Sequence, residues 1–123
     1  MDLAKLHALL QGAKEGSEYL DYAIQRELFR MVKPVPLYTR SLDAALSLLP
    51  DGWTIHRLSQ LSDCRGGTGG WLAEIYRPAD AMIRFPSDGV SASAPLALCA
   101  AAVRVQMGLR LDAEPPTQRS GTK

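Results

Sequence analysis

The sequence predicts an α+β fold in which a small antiparallel sheet of three to four strands is covered by helices, in the order α-α-α-β-β-β-α. Three observations predict it. An alanine-rich apolar run, Leu96–Val103, follows a helix-start signal at Ser93-Ala94-Pro95. Alternating apolar residues at 53–60, 71–76 and 81–85 are joined by Gly- and Pro-containing turns. Helical spacing of leucines recurs ahead of them. Strands joined by short turns pair antiparallel. A sheet this small needs helices on its apolar face.

The N-terminal helix is expected over residues 2–14, with Leu3, Leu6, Leu10 and Ala13 on one stripe. Glu15-Gly16-Ser17 ends it. Ser17 caps a second helix, about 18–30, whose acids Glu18 and Asp21 suit the positive end of a helix dipole. These two helices form an N-terminal pair, residues 1–32. The core of the same single domain spans 33–111. Lys33-Pro34-Val35-Pro36-Leu37 is an extended connector, because each proline restricts itself and its predecessor. Ser41 or Thr39 caps a third helix, about 42–49, and Pro50-Asp51-Gly52 turns the chain.

Residues 53–60 read as the first strand, with Trp53 and Ile55 on one face and Thr54 and His56 on the other. Asp63–Gly70 is a glycine-rich loop. In the second strand, Trp71–Tyr76, the residues Trp71, Ala73 and Ile75 share a side. Ala81–Phe85 is the third strand, Pro86–Gly89 a turn, and Val90–Ala92 a short edge strand. The last helix, 94–109, is apolar or alanine on every side from Leu96 to Val103, so it is enclosed, with the sheet on one face and helices or a second subunit on the other. The other helices then cover the far face of the sheet or serve a partner. Residues 112–123 are polar and proline-containing and are expected to be a disordered tail.

Composition narrows the function classes. The 123 residues carry a net charge of +1, which gives no basic excess for nucleic-acid binding. The order α-β-β-β-α also fits a double-stranded RNA-binding module, but Ser93–Ala97 offers no lysines at the start of the last helix. Gly66-Gly67-Thr68-Gly69-Gly70 precedes a strand and has no following lysine, so it reads as a hairpin tip and not a phosphate loop. His7, His56, Cys64 and Cys99 lack zinc spacing, and Asp51 with Glu74-Ile75-Tyr76 lacks the lysine of a nuclease metal site. No nucleophile has a recognisable base. The reading is therefore no enzyme, no metal and no cofactor. No signal pattern or membrane-length run is present, and Cys64 and Cys99 are expected as reduced thiols, which places the protein in the cytoplasm.

Ten of the 14 basic residues are arginine. Arg57, Arg77 and Arg84 fall on or beside strands with Trp53, Trp71, Tyr76 and Phe85, while Arg104 and Arg110 lie on the last helix. Arginine forks fit phosphate, and aromatic faces stack on bases, so such a mixture can hold a nucleotide. The plainer reading makes the aromatics core and the arginines surface.

Three segments carry a resemblance. They are Glu15-Gly16-Ser17-Glu18-Tyr19-Leu20-Asp21-Tyr22-Ala23-Ile24, then Pro36-Leu37-Tyr38-Thr39-Arg40-Ser41-Leu42-Asp43-Ala44-Ala45 with Gly52-Trp53, and finally Ser93-Ala94-Pro95-Leu96-Ala97-Leu98-Cys99-Ala100-Ala101-Ala102. In that order they resemble the phage ABA-sandwich domain family of small phage and prophage proteins, over about residues 15–108. The resemblance implies a host-cytoplasmic, homo-oligomeric protein. It extends to non-enzymatic sponge proteins that counter the Thoeris defence by holding a cyclic ADP-ribose-type signal. Relatives often carry arginine directly after the helix cysteine, where this chain has Ala100, which leaves Arg104 one turn later. The ligand-binding candidates are Arg84, Phe85 and Arg104, with Trp71 and Tyr76. The alternatives are a protein-directed inhibitor of a host defence complex, of the anti-CRISPR kind, and a structural or regulatory phage protein.

Overall fold

The computed structural model describes residues 2–30, 35–50, 52–62, 68–78 and 88–113. Its helices are α1 (Leu3–Gly12), α2 (Glu18–Ile24) with a π-helical turn (Gln25–Phe29), α3 (Leu42–Leu46) and α4 (Ala94–Ala113). The strands are β1 (Thr54–Ser62), β2 (Thr68–Tyr76) and β3 (Asp88–Ser91). They form one antiparallel sheet in the order β1-β2-β3, so the fold is α+β.

Each helix starts where a side chain meets an unpaired backbone N–H. The Leu20 amide donates to Ser17 Oγ at 3.2 Å, the Ala44 amide to Ser41 Oγ at 3.4 Å, and the Leu96 amide to Ser93 Oγ at 3.4 Å. Asp2 caps α1 through the Lys5 amide at 2.8 Å. The second helix changes at Gln25 to the wider π spacing and ends at Arg30, whose φ of 57° is left-handed.

The centre of the molecule is α4. Every side chain from Leu96 to Val103 is fully buried, as its all-round apolar sequence requires. β2 and β3 lie against it, and α1 and α3 close the rest of its surface. α1 and α3 thus lie on the helix rather than across the far face of the sheet. Leu3, Leu6 and Leu10 of α1 join this core, and Ser91 Oγ donates to the Leu10 carbonyl, tying α1 to β3.

The sheet follows the expected alternation. Ala73 and Ile75 are buried on the α4 side, Trp71 packs beside them, and Ile55 pairs with Ile75. A register shift between Ile55 and Arg57 leaves His56 as an extra residue on β1. The hairpin strands run further towards each other than expected, to Ser62 and Thr68, and Gly70 accommodates a φ of +83°.

The expected edge strand at 90–92 is present with its start moved back to Asp88. The segment that pairs with β2 is Asp88–Ser91, so Gly89 belongs to a strand and not to a turn. The reason is tertiary. A Cβ on Gly89 would lie 2.5 Å from the Ala97 carbonyl oxygen and 2.9 Å from the Ala100 carbonyl carbon. Only glycine lets this strand touch the backbone of α4. The expected strand 81–85, most of the loop 63–70, Cys64 and the tail beyond 113 lie outside the described residues.

Candidate functional site

The three ligand candidates among the described residues, Trp71, Tyr76 and Arg104, do not converge. Arg84 and Phe85 lie outside the described residues. Trp71 and Tyr76 sit five positions apart on β2, which places them on opposite faces of the sheet. Trp71 packs against the core, whereas Tyr76 is on the outer face with the His56 ring edge-on at 5.2 Å. Arg104 is half-buried on α4 and donates from Nη1 to Asp88 Oδ1 at 3.0 Å. The remaining arginines also have local partners. Arg57 pairs with Glu74 at 3.3 Å, the Arg77 guanidinium lies 6.0 Å from the centre of the Trp53 ring, and Arg110 donates to the Glu27 carbonyl at 3.2 Å.

The structure does bring a second residue to Arg104. His7 stands on α1 at the junction with α4 and β3, and its Nε2 is buried with no hydrogen-bond partner. Burial pushes the imidazole below its ordinary pKa, the charge on Arg104 lowers it further, and Asp88 partly opposes them. His7 thus faces a guanidinium from α4 and a carboxylate from β3. A signal for it exists in the sequence: Leu3, Leu6, His7 and Leu10 share the i, i+3, i+4, i+7 stripe, so His7 lies on the packed side of α1.

This placement fixes a pH dependence. The folded-state pKa of His7 lies below the ordinary 6.5 of the unfolded chain, so below that pH the unfolded chain binds the proton more readily. Its contribution to stability is complete above pH 6.5 and falls as the pH drops from there towards the folded-state value. Urea midpoints measured on both sides of this pH are expected to decline on the acid side for the natural chain and to flatten in His7→Gln. Parallel declines in both proteins would contradict the placement.

A second polar cluster ties α2, the 38–40 turn and α4 to one another. Asp21 is completely buried on α2. Its Oδ1 accepts from the Thr39 amide at 2.7 Å and from Thr39 Oγ1 at 2.6 Å. Its Oδ2 accepts from Arg40 Nε at 3.1 Å and Nη2 at 2.8 Å. The Ser17 amide donates to Thr39 Oγ1 at 3.0 Å. Gly16 is required here, because a Cβ would overlap the Thr39 carbonyl and lie 2.7 Å from Arg40 Cγ. The neighbouring Tyr38 hydroxyl donates to Gln25 Oε1 at 2.5 Å, and Cys99 Sγ donates to the Tyr38 carbonyl at 3.2 Å. Burial, with Asp21 nearby, pushes the Cys99 thiol far above its ordinary pKa, so it stays a protonated donor at neutral pH. This cluster has its polar groups matched to one another, and its chemistry is that of a structural tie.

The outer surface of α2 is unlike the rest. Tyr19 and Tyr22 are exposed there, beside the charged Glu18 and Arg26, whereas Phe29 of the π turn stacks on the Tyr38 ring at 6.3 Å. Among the described residues no group of three His, Cys, Asp or Glu side chains is placed to hold a metal ion, and no helix is long and apolar enough to cross a membrane. No protein-family model, no curated protein and no solved structure matches the chain.

Proposed function

We propose that the chain is a small, non-enzymatic binding protein of phage or prophage type that sequesters a cyclic ADP-ribose-type immune signal in the host cytoplasm. The observation that carries the reading is the buried, unpartnered Nε2 of His7, whose imidazole lies within the electrostatic reach of the Arg104–Asp88 pair. A guanidinium retains donors beyond a single ion pair, and a buried imidazole nitrogen without a partner is a costly group to leave unmatched. A phosphate group satisfies both: Arg104 donates to its oxygens in place of Asp88, and His7 Nε2–H completes the contact. Tight binding without turnover is all that sequestration requires, and a captured signal leaves intact when the protein unfolds.

Calorimetric titration with cyclic ADP-ribose isomers tests the site. The natural chain is expected to bind one isomer, and Arg104→Ala to bind it roughly 10- to 100-fold more weakly, the worth of hydrogen bonds to a charged group. His7→Gln, which keeps a donor, loses less. Equal affinity in the natural chain and Arg104→Ala would remove this site from the proposal.

A further inference from the structure

The geometry points to a second copy of this chain as the occupant of the α2 aromatic face. At α-helical spacing the positions 18, 19 and 22 share an arc roughly 100° wide, Arg26 follows in the π turn, and all four are exposed. The opposite side of the same helix, Leu20, Asp21, Ala23 and Ile24, is buried. A helix with one buried side ordinarily presents a polar outer side to water. Here the outer side carries two tyrosines, Tyr19 at 61% exposed and Tyr22 at 38%. Aromatic rings gathered on an outer face are what the centre of a protein interface contains.

The charges on this face select the occupant. Glu18 and Arg26 lie four residues on either side of Tyr22, Glu18 at the start of α2 and Arg26 in the π turn that follows it. In an antiparallel pair of α2 helices related by a two-fold axis at Tyr22, residue i faces residue 44 − i of the other copy. Glu18 then meets Arg26 of the second copy, Arg26 meets its Glu18, and the two Tyr22 rings meet on the axis. The face is neutral in sum and opposite in sign at its two ends, so it complements itself only in the antiparallel sense. A parallel arrangement would set Glu18 on Glu18 and Arg26 on Arg26. The pairing is independent of the nucleotide reading, because His7, Arg104 and Asp88 lie on α1, α4 and β3.

Sedimentation equilibrium of the full chain over a micromolar concentration series tests the pairing. The natural chain is expected at twice its 13.4 kDa. Glu18→Arg alone sets four positive groups together, and Arg26→Glu alone four negative ones, so each weakens self-association by about tenfold or more. An equimolar mixture of these two variants associates as a heterodimer, and the double variant Glu18→Arg/Arg26→Glu recovers the natural affinity. Tyr22→Ser, at the axis, is expected to weaken pairing to at least the same degree. A natural chain that stays at the monomer mass overturns the proposal. So does a dimer that both single charge variants leave unchanged, or a mixture that associates no better than its components.

Discussion

Asp21→Ala is expected to cost the fold about 2–4 kcal/mol, because each buried donor left without its acceptor costs about 1–3 kcal/mol. The substitution leaves the Thr39 amide and hydroxyl without their acceptor and the Arg40 fork without its carboxylate. Thr39 is buried, so water cannot readily take over. A domain of this size has only about 5–15 kcal/mol in total, so the loss is a large share of its stability. Arg40→Ala is milder, because Arg40 is partly in solvent and Asp21 keeps both Thr39 donors. Urea denaturation of Asp21→Ala, Arg40→Ala and the double variant checks the account. The two losses are expected to be strongly non-additive, since both variants break the same contact. A midpoint for Asp21→Ala within experimental error of the natural chain would show that the cluster carries no stability.

Gly89→Val is the second large effect, and its mechanism is steric. The position of a Cβ is already occupied by the α4 backbone around Ala97, Ala100 and Ala101. A backbone inside a fully buried helix cannot rotate away as a flexible side chain would, so strand and helix must separate. Overpacking of this kind costs up to about 3 kcal/mol, and more when the obstacle is backbone. The melting temperature is expected to fall by more than about 10 °C. Gly12→Ala is the matched control. Nothing lies within 4 Å of a Cβ there, and alanine is the better helix former, so this variant is neutral or stabilised by up to about 1 kcal/mol.

These two positions also mark where sequence reasoning stopped. The final helix was legible because its signals are local: Ser93, Pro95 and an unbroken apolar run name its start and its burial. The inner face of β2 was legible for the same reason, since Trp71, Ala73 and Ile75 alternate with polar neighbours. Gly89 was not. In sequence it ends a Pro-Ser-Asp-Gly turn signal, and only the approach of α4 makes it a strand residue. Asp21 looked like an acid placed for the helix dipole. Its burial depends on Thr39 and Arg40, 18 and 19 residues away.

The candidate site shows the same division. The sequence nominated Arg104, and the fold supplied His7 and Asp88 beside it from two other elements. Trp71 and Tyr76 were grouped by chemistry, yet their odd separation on one strand already places them on opposite faces. Arginine-rich composition was a weak guide for a physical reason. Five of the seven described guanidiniums are engaged locally, by Asp21, Glu74, Asp88, the Trp53 ring or the Glu27 carbonyl.

The most direct test of nucleotide sequestration is native mass spectrometry of the full chain mixed with cyclic ADP-ribose isomers and cyclic oligonucleotides, followed by heat release and analysis of whatever was bound. The account predicts that one cyclic ADP-ribose-type nucleotide is retained and released chemically unaltered. Retention of none, or release of a cleaved product, would contradict it.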